Sequence, residues 1–180
     1  RLLFVDVNAS AMYNRVSDTT LEWIEEQLKQ AEEDHARIIA FSHQSMLKQT
    51  VFSTGYVIAN GSDLEKLYEQ YGVIANFSGH LHIQHTKTGD HNIPEAITSS
   101  LAVSPNQYAE ITLSSTALDY QTRSTDVSAW ALSNHSDNPD LLDFAAYSER
   151  FFDDNSYRTA YGEYQYISNA EELAQYFVML

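Results

Sequence analysis

The chain of 180 residues carries 10 Lys and Arg against 25 Asp and Glu, a formal charge of −15. A surface that acidic argues against binding a nucleic-acid polymer, which needs clustered cations. The absence of cysteine removes disulfides, thiolate nucleophiles and cysteine zinc sites, and no apolar run approaches the roughly 18–20 residues of a membrane span.

The 43% of hydrophobic residues suffices for one domain with a substantial core, with room for an appendage. Arg1 opens directly into the apolar run Leu2-Leu3-Phe4-Val5, and the chain ends on Tyr176-Phe177-Val178-Met179-Leu180. The sequence therefore reads as a piece of a longer chain. Acidic and cysteine-free, it is compatible with a bacterial extracytoplasmic or cell-surface setting. A small phosphate substrate is not excluded, because bound divalent ions supply local positive charge.

A strand is predicted over residues 2–7, followed by a polar loop from Asn8 to Val16. A helix then starts near Thr19, where Thr19-Thr20-Leu21-Glu22 has capping-box spacing. Leu21, Ile24, Leu28 and Ala31 fall on one of its faces at helical period. A short strand follows over 37–41, then a loop of a dozen or more residues with Gly55 and Asn60-Gly61. Loops of that length are often functional. Ser62-Asp63-Leu64-Glu65 repeats the capping-box signature and opens a helix to about Tyr71, before an apolar strand over 73–78. Strand, helix, strand, helix, strand in this order predicts parallel pairing through helical crossovers.

Past His82 the pattern changes. Short strands are expected near 83–87, 95–98, 108–114 and 117–125 with no helices between them, which reads as antiparallel hairpins. Asp137-Asn138-Pro139-Asp140 suits a helix start, and Ser168-Asn169-Ala170-Glu171 caps another helix. From Asp137 onward there are nine acidic residues, two arginines, six tyrosines and four phenylalanines. That richness in aromatics argues for a packed helical extension, since disordered tails are poor in them. The division expected is 1–134 for the main domain and 135–180 for the extension.

Seven histidines are present. His35, His91 and His135 lie in polar, turn-like sequence and read as surface residues. His85 follows His82 by three, so strand alternation places it on the opposite face from His82 and Gln84. His43, in Phe41-Ser42-His43, and the pair in Gly79-His80-Leu81-His82 are different, because each follows an apolar strand. In open α/β sheets ligands gather at the carboxyl ends of parallel strands, and imidazole suits divalent transition metals without any thiol. His43, His80 and His82 are therefore the candidate metal ligands. Gly79, just before the pair, would let the backbone turn sharply or approach a ligand.

Gly79-His80-Leu81-His82 preceded by Asn76-Phe77-Ser78, with Phe41-Ser42-His43 upstream, resembles the calcineurin-like metallophosphoesterases. The helix Thr20–Leu28 and the stretch Thr98-Ser99-Ser100-Leu101 with Pro105 and Tyr108-Ala109-Glu110-Ile111 extend the resemblance over roughly residues 1–125. Within the family the chain looks similar to bacterial phosphodiesterases of the cyclic-nucleotide type, with an added helical C-terminal part.

The resemblance implies an α/β fold, part of a four-layer α/β/β/α sandwich with mixed sheets, and two divalent ions (Mn, Fe or Zn) at one edge. By carry-over His43 and His80 would ligate one ion and His82 the other. A metal-bridging hydroxide would attack phosphorus in line, so no protein nucleophile is needed. The family's D-x-H, G-D-x-x-D and G-N-H-[DE] motifs are not in this sequence, and Asp6 and Asn8 have neither the spacing nor the histidine neighbour to replace them. The chain then corresponds to the C-terminal half of the domain, inactive alone and partnered by the N-terminal half. The substrate expected is a small phosphoester. Two other readings stay open: a non-catalytic interaction module on the same scaffold, and a phosphomonoesterase or nucleotidase.

Overall fold

The computed structural model describes residues 1–7, 14–50, 53 and 56–179. The loop expected over Asn8–Val16 falls largely outside these residues, as does Gly55. The described chain divides into two compact units, Arg1–Ser99 and Ser100–Leu180, and is a mixed α/β protein whose larger sheet is mostly parallel.

In the first unit β1 (Leu2–Val5), β2 (Ile39–Ser42), β3 (Asn76–Ser78), β4 (His85–Thr88) and β5 (Pro94–Ile97) form one sheet in the order β1-β2-β3-β5-β4. The predicted parallel pairing of the first three strands is present, with Phe4 opposite Phe41 and Phe41 opposite Phe77. The expectation of hairpins after His82 holds for β4 and β5, which pair antiparallel. It misses that β5 also pairs parallel with β3, Phe77 facing Ala96 and Ser78 facing Ile97. The hairpin thus inserts its second strand beside β3 and leaves β4 on the edge.

Alternation along β1 sends Leu3 and Val5 inward and leaves Leu2 and Phe4 exposed. On the inward face, helix α1 (Asp18–Glu33) buries Ile24, Leu28 and Ala31, and helix α2 (Gly61–Gln70) buries Leu64 and Tyr68. Fully buried side chains of this size are worth about 1.5–3 kcal/mol each relative to exposure. The opposite face carries a row of rings: Phe4 stacks on Phe41 at 4.8 Å, and Phe41 meets Phe77 at 5.6 Å.

Both capping boxes were displaced. The cap of α1 is Ser17, whose Oγ accepts from Thr20 N at 3.1 Å. In α2, Asn60 occupies the cap position but spends its side chain on Val16, accepting from Val16 N and donating to Val16 O, each at 3.0 Å. Glu65, the expected box partner, accepts instead from His91 N at 2.9 Å in the turn between β4 and β5.

In the second unit β6 (Gln107–Leu113) and β7 (Leu118–Ser124) form a two-stranded antiparallel ribbon, as the sequence predicts. Helices α3 (Val127–Ser133), α4 (Pro139–Leu142), α5 (Phe144–Tyr164) and α6 (Ala170–Met179) follow. Asn138 caps α4 with proline in its first turn, as expected, and α6 begins where its cap sequence places it. Helix α3 has no counterpart among the expected elements; Asp126 caps it by accepting from Ala129 N at 2.9 Å. Ser148 in α5 donates to Asn106 Oδ1 at 2.6 Å in buried surroundings, fixing that helix to the foot of the ribbon. Among the described residues no helix is long and apolar enough to cross a membrane.

Candidate metal centre

Strands β2 and β3 are parallel neighbours, so their carboxyl ends open on the same rim of the sheet. His43 follows the last residue of β2, and Gly79-His80 follow the last residue of β3. Gly79 N donates to His43 O at 3.0 Å, which joins the two connections at their first residues. The side chains then converge: His80 Nδ1 and His43 Nε2 lie 3.1 Å apart, with the rings edge to face and their centroids separated by 4.9 Å. The Tyr56 ring lies 5.7 Å from His80.

His80 and His82 both have left-handed backbone, at φ 67° and 54°. The sequence assigned the sharp turn to Gly79, but the histidines make it. A Cβ on Gly79 would meet only ordinary contacts, His43 O at 3.9 Å and Thr98 O at 4.0 Å. Histidine is among the residues that tolerate this region better than most, yet such conformations cost of order 1 kcal/mol and cluster at functional sites. His35 and His135 also have positive φ, with a structural cause: each closes a helix, and Ala36 and Ser136 after them donate to Ala31 O and Ala131 O. His91 hydrogen-bonds Glu69 at 2.8 Å. None of these three belongs to the centre.

Burial, with the charges of His43 and then His82 added to it, holds the His80 imidazole below its ordinary pKa. That favours the neutral ring, which is the form that ligates metal. His82 is near enough to be felt electrostatically, but its ring makes no bond to the other two. Its carbonyl accepts from Ser99 Oγ at 3.4 Å. Among the described residues no group of three or more His, Asp or Glu side chains encloses a position for an ion.

The donor pair fits one ion in part. Two imidazole nitrogens about 2.0–2.1 Å from a tetrahedral ion stand roughly 3.3 Å apart, close to the separation of His43 Nε2 and His80 Nδ1.

Beneath the two histidine connections lies a residue the sequence reading passed over. Glu95, on β5, is 1% exposed. Its Oε1 accepts from Met46 N at 2.7 Å, Asn76 Nδ2 at 2.7 Å and Ser78 Oγ at 3.0 Å. Its Oε2 accepts from Leu47 N at 2.8 Å and Gln49 Nε2 at 2.7 Å. Burying a carboxylate is costly unless hydrogen bonds satisfy it, and here both oxygens are fully engaged by neutral donors. Burial, and secondarily the charge of Glu95, push the Tyr68 phenol on α2 upward.

The Glu95 network reaches His85 through Gln49. Gln49 Nε2 donates to the carboxylate, so its Oε1 must accept from His85 Nδ1, 2.9 Å away. This places a proton on His85 Nδ1. The alternation argument for His85 fails because His82 lies outside any strand. The register sets His85 opposite Ile97, which is opposite Ser78, so His85 stands at the same rim as His80.

Residues 126–178 match a family described as the C-terminal domain of cyclic nucleotide phosphodiesterase. This segment lies beyond the part of the chain that carries the histidine motifs, so the two likenesses rest on different residues. A dimetal phosphatase from Danio rerio aligns structurally with a TM-score of 0.52 at 16% identity, over 60% of this chain and 35% of that one. A second solved structure, GAP50, the anchor in the inner membrane complex of Plasmodium, aligns at 15% identity with a TM-score of 0.38, over 67% of this chain and 38% of that one. The chain thus spans little more than a third of the length of these structures. No curated protein matches. From the dimetal phosphatase fold and the phosphodiesterase C-terminal domain together, the chain stands in a metallophosphoesterase-type relationship.

Proposed function

We propose that the protein is a metal-dependent phosphoester hydrolase, a phosphodiesterase with cyclic nucleotides as its leading substrate class. The observation that carries this reading is the convergence of His43 and His80 at the carboxyl rim of β2 and β3. In this reading residues 1–134 are the C-terminal half of a four-layer α/β/β/α domain and 135–180 a helical extension of it. His43 and His80 would hold one divalent ion and His82 a second. The carboxylate and amide donors that the family uses would come from outside these 180 residues.

Divalent ions, when bound, supply positive charge to the phosphoryl oxygens and activate water for in-line attack. The chain's own contribution is to present imidazoles already turned toward one another. Burial, and then the charges of His43 and His82, lower the His80 pKa and so favour the neutral ring that ligates metal. The left-handed backbone at His80 and His82 makes the turn after β3, and the Gly79–His43 bond holds the two connections in register.

The test uses the intact protein with Mn²⁺ and a panel of a cyclic nucleotide, a linear phosphodiester and a phosphomonoester. His80→Asn and His82→Asn keep a residue that tolerates the left-handed backbone while removing the imidazole. Each is expected to lower phosphodiester hydrolysis about 100-fold or more, since metal stabilisation of the transition state is worth several kcal/mol. Undiminished hydrolysis in both variants refutes the proposal. A preference for the monoester in the wild type moves the substrate class to phosphomonoesters.

A further inference from the structure

We propose that Glu95 is the positioning residue of the metal centre, clamping the two histidine-bearing connections into one register. The proposal rests on the metal-binding role given above to His43 and His80. One carboxylate takes hydrogen bonds from both connections. Met46 N, Leu47 N and Gln49 Nε2 belong to the segment that leaves His43. Asn76 Nδ2 and Ser78 Oγ belong to β3, the latter two residues before His80. The distance from His43 to its anchor at Met46 is three residues, so neither ring has much slack.

Two observations separate this from an ordinary buried carboxylate. The first is that, among the described residues, all the donors to Glu95 are backbone amides, side-chain amides or a hydroxyl, so its geometry serves the two connections and no ion pair. The second is that its network continues through Gln49 to His85 at the same rim, fixing which nitrogen of that ring carries the proton. Asn76 also donates to Ser42 Oγ at 3.2 Å, and Ser42 Oγ donates to Gln44 O at 2.8 Å, so the residues flanking His43 are tied from both sides. Residues that orient a ligand from behind change metal affinity about 10–100-fold when removed.

Glu95→Gln keeps the size of the side chain but turns one acceptor oxygen into an NH₂ group. Whichever way the amide faces, its NH₂ group opposes either Met46 N and Asn76 Nδ2 or Leu47 N and Gln49 Nε2. In the intact protein two quantities are measured: Mn²⁺ affinity by calorimetry, and the contact between the His43 and His80 rings in metal-free protein by NMR with labelled histidine. The same spectra read the His85 tautomer. Glu95→Gln is expected to remain folded, to lose about tenfold or more in Mn²⁺ affinity, and to lose both the ring contact and the Nδ1–H preference of His85.

Wild-type affinity or an unchanged ring contact in a folded Glu95→Gln protein overturns the proposal. If that variant does not fold, Ser78→Ala and Gln49→Ala each cut one arm of the clamp, and each is expected to lower affinity several-fold. Full affinity in both overturns it equally. If the wild type binds no Mn²⁺, the metal reading has failed; the ring contact then decides alone whether Glu95 positions the histidines.

Discussion

Gly61→Ala offers a quantitative test of how helix α2 supports the histidine rim from a distance. Gly61 is the first residue of α2, and a Cβ built there would sit 2.0 Å from Met46 O and 3.0 Å from Met46 C. Both are backbone atoms, and Met46 N is itself held by Glu95, so the neighbour cannot swing aside as a side chain would. Overpacking of this kind costs about 1–3 kcal/mol, and an overlap with immobilised backbone belongs at the upper end. Alanine recovers at most about 1 kcal/mol over glycine in a helix, which leaves a net loss of about 2 kcal/mol. For a chain of this size that lowers Tm by about 4–8 °C. Thermal unfolding followed by circular dichroism measures the loss, and Mn²⁺ titration of the same variant shows whether displacing Met46 also weakens ligation at His43. A destabilisation below about 0.5 kcal/mol would refute the close approach of α2 to the connection after β2.

Gly162 in α5 has nothing within 4 Å of a built Cβ, so Gly162→Ala is expected to stabilise by about 0.5–1 kcal/mol with Mn²⁺ affinity unchanged; a lower Tm would contradict the open space assigned to it. Lys29, and next to it the Tyr71 hydroxyl, hold the Glu25 carboxyl below its ordinary pKa. A carboxyl lowered in this way contributes stability above its unfolded pKa of about 4.5 and loses it as pH falls through the lowered folded value. The stability difference between wild type and Glu25→Gln, taken from urea midpoints, should therefore be present at pH 7 and close in acid below about pH 4.5; a difference independent of pH would count against the Glu25–Lys29–Tyr71 arrangement.

The order of strands and helices up to β3 was legible because each element carries its own periodicity and is bounded by polar residues that stop it. The meeting of His43 and His80 was legible for the same reason: parallel neighbours bring the residues after them to one rim. The pairing of β5 with β3 was not, because consecutive strands with a tight turn between them read as a self-contained hairpin, and nothing local tells the second strand to join a third. The α2 cap was misplaced because Asn60 and Glu65 form tertiary bonds to Val16 and His91 that compete with the local ones, whereas the α1 cap is local but lies two residues earlier, at Ser17. Glu95 was hidden for a related reason. A glutamate near the start of a short strand looks like a solvated residue, and its partners lie at Met46, Leu47, Gln49, Asn76 and Ser78, far away in sequence. One clue was available: Asn76 and Glu95 both interrupt otherwise apolar strands, and polar residues in such strands need partners.

The left-handed backbone at His80 and His82 sets stability against chemistry at this rim. Glycine at either position would relieve the conformational strain and gain stability, while removing an imidazole. Selection for thermal resistance alone would thus accept loss of the imidazoles that define the centre as readily as glycine at the other left-handed positions, such as His35 and His135. Engineering a more robust version of this chain should hold these two positions fixed and look for its gains in the helices of the second unit.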